Sequence, residues 1–231
     1  MALQVVILAA GMGTRLGKPW PKPLTPLADG RSIMQQQLEN VEKVFRNDVR
    51  TTIVVGFKME MIMEAHPNVS FVYNEIYDQT NTSKSLLKAL RASHESGVLW
   101  LNGDVVFDSR VLERIADRMR NESSFVCVNT SATAEEEVKY TVDANGHINA
   151  LSKQVQNALG EAVGINFISK HHKASVIKYL EECADNDYFE RGLELAIEKD
   201  RIEIEPVDIS DLFAVEVDFQ ADLDRANLNF N

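Results

Sequence analysis

Residues 5–10, Val-Val-Ile-Leu-Ala-Ala, are an unbroken apolar run that stops at Gly11. A strand with one wet face would alternate polar and apolar residues. An unbroken run instead suits a strand buried on both sides, as in a parallel sheet layered between helices. The next ninety residues keep to that plan. Ser32-Ile-Met-Gln35 has the form of a capping box, so a helix should begin near Ser32 and run to about Phe45. Residues 52–56, 69–73 and 98–101 read as further strands, with helices over 58–65 and 83–93 between them. This rhythm predicts an α/β fold: one Rossmann-like domain, a mostly parallel central sheet with helices on both faces.

The second half is less regular. Ser109 is placed to cap a helix reaching Met119, and residues 125–128 return to strand. Residues 138–142 and 148–152 flank Asp143-Ala-Asn-Gly146, the strongest hairpin signal in the chain. Strands follow at 163–169, 202–207 and 213–217, helices at about 171–184 and 187–198, and a last helix starts near Gln220. These add antiparallel strands and a small lid to one domain over 1–231. Its regular half would run to about residue 108 and its irregular half from about 109.

Charge narrows the function. With 24 basic and 35 acidic residues the formal net charge is −11. A general nucleic-acid binder would carry a basic face, and an anionic membrane would repel this surface. No apolar stretch is long enough to span a bilayer, and no basic leader precedes residues 5–10. The expectation is a cytoplasmic protein acting on small molecules, with a homodimer left open. Cys127 and Cys183 form no metal-binding pair and read as core residues. Trp100 reads as core, His171-His172 as helix-flanking, and Glu135-Glu-Glu137 as a solvated loop edge.

The segment after the first strand carries the chemistry: Gly11-Met-Gly-Thr-Arg15-Leu-Gly-Lys-Pro-Trp-Pro-Lys22. It falls at the carboxyl edge of the sheet, where open α/β folds bind ligands. It is not a dinucleotide fingerprint, because Leu16 stands where the third glycine belongs. It is not a P-loop, because Lys18 is followed by Pro19 rather than a hydroxyl residue. Gly11 and Gly13 allow a sharp turn that brings N–H groups to an anion. Arg15 and Lys22 add positive charge, and prolines 19, 21, 23 and 26 stiffen the loop. Stiffness and converging donors suit a polyphosphate chain.

Gly11 through Lys22 resembles the signature G-x-G-T-R-L-x-x-x-x-P-K of the sugar-nucleotide pyrophosphorylase superfamily of nucleotidyltransferases. The resemblance implies the nucleotide-diphospho-sugar transferase fold, with Leu8, Ala10, Gly11, Gly13 and Thr14 against a nucleoside triphosphate. It implies that Arg15 holds the phosphates that leave as pyrophosphate, and that Lys22 neutralises the α-phosphate. In sugar-1-phosphate members a glutamine follows the third strand, with Gly-Thr or Asp-Gly beyond it. Here Asn74 stands in its place, then Asn81-Thr82 and Ser85. That pattern resembles the cytidylyltransferases acting on phosphocholine, 2-aminoethylphosphonate and inositol phosphate. It implies that Asn81, Thr82 and Ser85 contact the pyrimidine, although Thr82 could equally be a plain helix cap.

Asp104, just past a buried strand, is a natural magnesium ligand. Alternation puts Glu216 and Asp218 on one side of a strand, where they would complete the Mg²⁺ site, and the superfamily's E-aliphatic-D motif is similar. An ordinary exposed strand edge is the alternative reading of these two. By the same resemblance, Lys153 holds the acceptor's phosphate. Glu161 could pair with an ammonium headgroup, with Asn74 at the acceptor and an aromatic face from Tyr77 or Tyr188. The expected reaction joins CTP to a small phosphate or phosphonate acceptor, giving a CDP-linked product and pyrophosphate. A sugar-1-phosphate uridylyl- or thymidylyltransferase, or a silent nucleotide-binding regulator, are the alternatives.

Overall fold

The structure is a computed structural model that describes residues 3–229 apart from 132, 134 and 135. In chain order its first half comprises β1 (Leu3–Ala9), α1 (Ile33–Phe45), β2 (Val49–Val55), α2 (Met59–Ala65), β3 (Ser70–Tyr73), α3 (Thr82–Ala92), β4 (Val98–Asn102) and β5 (Val105–Phe107). The second half comprises α4 (Arg110–Arg120), β6 (Phe125–Asn129), β7 (Lys139–Val142), β8 (Ile148–Ser152), β9 (Gly160–Ile168), α5 (Lys170–Glu182), α6 (Phe189–Asp200), β10 (Glu205–Asp208), β11 (Ala214–Glu216) and α7 (Gln220–Asn227).

The main sheet runs β10-β6-β9-β4-β1-β2-β3. β1 pairs in parallel with both β2 and β4, β2 with β3, and β10 with β6. β9 is antiparallel to β4 and β6, and the β7–β8 hairpin attaches to it. β5 and β11 form a separate antiparallel ribbon.

The uniform burial of β1 follows from its place between two cores. Val6 and Leu8 pack with α3, α5 and α6, whereas Val5, Ile7 and Ala9 pack with α1, α2 and α4. Each valine, leucine or isoleucine among them contributes roughly 1.5–3 kcal/mol on burial, which fixes the register of the strand that delivers the glycine loop. Trp100 and both cysteines are buried, as expected.

Some boundaries differ from the sequence reading. β9 begins at Gly160 rather than at 163, because its front end pairs with Asn129 and Tyr140 on two other strands. Residues 202–204 are not strand: Ile202 and Ile204 fill the core, and the Ile204 carbonyl accepts from the Ile148 N–H. Ser109 does not cap α4. Its backbone is already helical, and the Asp108 carboxylate takes the Arg110 N–H instead. Ser32 caps α1 as expected, but Gln35 turns to Glu39, so only half of the capping box forms. β5 has no counterpart in the sequence reading.

Candidate active site

An open cleft lies at the carboxyl ends of β1 and β4. The glycine loop forms one side. Gly13 has φ +59°, and the chain then makes a tight turn at Thr14–Leu16 and another at Lys22–Leu24. On the other side, Gly103 donates its N–H to the Leu8 carbonyl at 2.9 Å, so the turn carrying Asp104 lies directly over β1. The Val217 N–H donates to the Asp104 carbonyl, which draws the end of β11 and Asp218 over the same edge.

These backbone contacts make a cation–carboxylate network. The buried Lys22 ammonium donates to Asp104 at 2.8 Å and to Asp218, and the Arg15 guanidinium donates to Asp218 at 2.7 Å. Burial pulls the Lys22 ammonium down, but Asp104 and Asp218 outweigh it and the net shift is upward. Burial likewise raises the Asp218 carboxyl, and Lys22 with Arg15 hold it below the usual carboxylate range. Arg15 is raised by Asp218. Glu216 is half-buried, accepts from Asn102 Nδ2 at 3.1 Å, and is pushed well up by desolvation and by Asp104 and Glu137.

As they stand, no three acidic, histidine or cysteine side chains among the described residues converge on one metal position. Lys22 fills the gap between Asp104 and Asp218. The donor set nevertheless fits a hard divalent cation. All three groups are carboxylates, and Asp104 Oδ1 is buried without a partner among the described residues. The neighbouring acids raise the Glu216 carboxyl, a penalty that a cation would relieve.

Of the residues anticipated from sequence, Leu8, Gly11, Gly13, Arg15, Lys22, Thr82, Asp104, Lys153, Glu216 and Asp218 border the cleft. The others lie elsewhere, except Tyr188, which also borders it. Asn74 is 1% exposed, and its Nδ2 donates to Thr80 and to Ser85 Oγ, so Asn74 and Ser85 form an internal brace. Asn81, not Thr82, caps α3, through its side-chain oxygen on the Thr82 N–H. Thr82 Oγ1 instead accepts the Phe189 N–H at the start of α6, so it does not cap its own helix. Tyr77 covers Gly56, where a Cβ would meet its ring at under 3 Å, and stacks obliquely on Phe57. The Ala10 carbonyl accepts from the Phe57 N–H, and the Thr14 carbonyl closes its own turn on Gly17. Glu161 sits in β9 opposite Asn129 and Lys139.

Several cleft residues lie outside the sequence reading of the site, Glu136, Glu137, Phe189 and Glu190 among them. Glu135 lies outside the described residues; Glu136 is exposed, as a solvated loop edge would be, yet it and the half-buried Glu137 border the cleft. Burial and Glu161 push the Glu137 carboxyl up. Phe189 and Glu190, at the start of α6, also border it. A glutamate in the first turn of an amphipathic helix looks like a surface residue, so only the tertiary fold could reveal it.

Residues 5–176 match the MobA-like NTP transferase domain. The CMP-5'-(3-aminopropyl)phosphonate synthase of Streptomyces rubellomurinus is 39% identical over 123 residues, 49% of this chain and 19% of that protein. The chain spans between 19% and 26% of the length of the first curated relatives it matches. Among solved structures, the CTP:phosphocholine cytidylyltransferase of Streptococcus pneumoniae superimposes with a TM-score of 0.80 at 16% identity, covering 100% of each chain. A UDP-glucose pyrophosphorylase bound to UDP-glucose gives 0.77 at 13% identity, covering 100% of this chain and 98% of its own. Those two likenesses speak to the fold alone. No helix among the described residues is long and apolar enough to cross a membrane. The family match, spanning the glycine loop and the Lys22–Asp104 contact, places this chain in the MobA-like NTP transferase family, as a nucleotidyltransferase of the sugar-nucleotide pyrophosphorylase type.

Proposed function

We propose that the chain is a cytidylyltransferase that uses CTP and a small phosphate or phosphonate acceptor. The observation that carries this is the shared cleft in which Arg15, Lys22, Asp104 and Asp218 meet. An acceptor oxygen attacks the α-phosphorus in line. The new O–P bond forms as the bond to the bridging oxygen breaks, and pyrophosphate leaves with the electron pair. No enzyme nucleophile is needed. Two anions must approach each other, so the protein's work is charge compensation in a preorganised site.

Lys22 is placed for the α-phosphate. Its ammonium, now shared by two carboxylates, exchanges a carboxylate for a phosphoryl oxygen when the nucleotide enters. Arg15 is about half exposed at the loop and takes the outer phosphates. Asp104, Glu216 and Asp218 would hold the divalent ion, which when bound shields phosphoryl charge. Lys153, which borders the same cleft, would hold the acceptor's phosphate. In this reading the half before about residue 109 binds nucleotide and the remainder the acceptor, with Glu216 and Asp218 reaching back to the ion.

The 39% identity to a segment of an enzyme named for a CMP–phosphonate product supports CTP and a phosphonate over a sugar phosphate. The test is a panel of nucleoside triphosphates against phosphocholine, 2-aminoethylphosphonate, inositol phosphate and glucose 1-phosphate. Pyrophosphate release is followed, with mass detection of the conjugate. CTP with a phosphonate or phosphocholine should dominate. Turnover confined to UTP or dTTP with the sugar phosphate overturns the reading.

A further inference from the structure

The cleft contains a carboxyl for which phosphoryl chemistry has no use. Glu190 is 8% exposed, yet it borders the cleft. Its Oε2 is buried and has no partner among the described residues. A buried polar atom left unpaired costs on the order of 1–3 kcal/mol, so one that faces a ligand cavity marks a place where a donor belongs.

The surroundings specify the donor. Tyr188, two residues before it, is 41% exposed, and the Lys153 ammonium stands 5.1 Å from its ring centroid. The chain's own ammonium thus already rests on an aromatic face near a carboxyl with one unpartnered oxygen, which is how proteins bind ligand cations. Glu136 and Glu137 border the same cleft, so its charge also suits a cation. The kind of cation matters. A trimethylammonium group satisfies the ring but offers no N–H, leaving Glu190 Oε2 unpaired. A primary ammonium satisfies both.

We infer that Tyr188 and Glu190 form a subsite for a cationic group on the acceptor, and that Glu190 selects a primary ammonium. The acceptor class is therefore an aminoalkyl phosphonate or aminoalkyl phosphate. This rests on the cytidylyl-transfer reading and narrows its substrate. When the acceptor's ammonium takes the Tyr188 face, Lys153 leaves it for the oxygens on the acceptor's phosphorus.

The experiment compares 2-aminoethylphosphonate, its N,N,N-trimethyl analogue and ethylphosphonate as acceptors with CTP and Mg²⁺. It uses the unmodified protein, Glu190→Gln and Tyr188→Leu, each checked for folding by circular dichroism. The unmodified protein should favour the primary amine over both others at least tenfold in kcat/KM. Glu190→Gln should cut that preference at least tenfold through the acceptor KM, with the CTP KM unmoved. Tyr188→Leu, a change at an exposed ring, should raise the KM for both amines. Calorimetric binding of 2-aminoethylphosphonate should weaken in the same order. Equal use of all three acceptors, or a folded Glu190→Gln that keeps the preference, overturns the subsite while leaving cytidylyl transfer intact. Transfer to glucose 1-phosphate and to none of the three phosphonates overturns the proposed function and the subsite together.

Discussion

A Cβ placed on Gly13 would lie 2.8 Å from the Cβ of Lys22. The start and end of the loop are therefore in contact, and the lysine's position depends on a glycine nine places earlier. Gly13 is also left-handed, with φ +59°, where any other residue is strained by about 1 kcal/mol or more. Gly13→Ala should displace Lys22 from Asp104 and lower turnover at least tenfold, while the midpoint of thermal unfolding falls only slightly. Unchanged kinetics would show that the loop's closure does not position the lysine.

Lys22→Ala tests the charge argument directly. The substitution removes a cation from between Asp104 and Asp218 and leaves both carboxylates facing an incoming triphosphate. Loss of one preorganised donor costs roughly 3–4 kcal/mol of barrier, or about a hundredfold or more in turnover. Steady-state pyrophosphate release from a folded Lys22→Ala protein measures it, and near-normal rates would refute the role.

How far the sequence reached depended on whether the information was local. β1 and the loop were legible because an unbroken apolar run and a glycine–proline punctuation each have one physical meaning. Arg15, Lys22, Asp104, Glu216 and Asp218 were legible as residue types whose charges suit phosphate and a hard cation, and all five border one cleft. The base-reading block was less transparent. Asn74 and Ser85 carry polar groups that suit a ligand, but the fold spends them on each other at 3.1 Å beneath the surface. Polar residues in a buried brace and at a binding site look the same in one dimension. β5 is only three residues, defined by its antiparallel partner more than a hundred positions away, and short non-local pairing leaves no periodic trace. Glu190 was hidden because burial, not spacing, makes it unusual.

The carboxylates make a separable prediction about metal. A ligand that binds only the folded state raises stability with its concentration. Mg²⁺ in the presence of CTP should raise the midpoint of thermal unfolding, and a chelator should both reverse that shift and stop turnover. Asp104→Asn should lose most of the Mg²⁺-dependent shift, since Asp104 Oδ1 is buried and unpartnered among the described residues. A full shift in Asp104→Asn would remove that residue from the proposed ligand set.

Glu190 also predicts a slope of stability against pH. Desolvation pushes its carboxyl from an ordinary value near 4.5 up to about 7, with its own backbone N–H and Lys153 working against that rise. Between those two values the folded chain keeps a proton that the unfolded chain has released. Raising the pH through that window therefore favours unfolding, and the loss levels off above about 7. The full effect is on the order of 3 kcal/mol. A glutamine side chain cannot ionise, so Glu190→Gln should be more stable than the parent at pH 8, with the advantage shrinking toward pH 5. Urea unfolding of both proteins from pH 5 to 8 measures the difference. If it stays flat across that range, the buried carboxyl ionises without penalty and the picture of an unpaired Oε2 awaiting a cation fails with it.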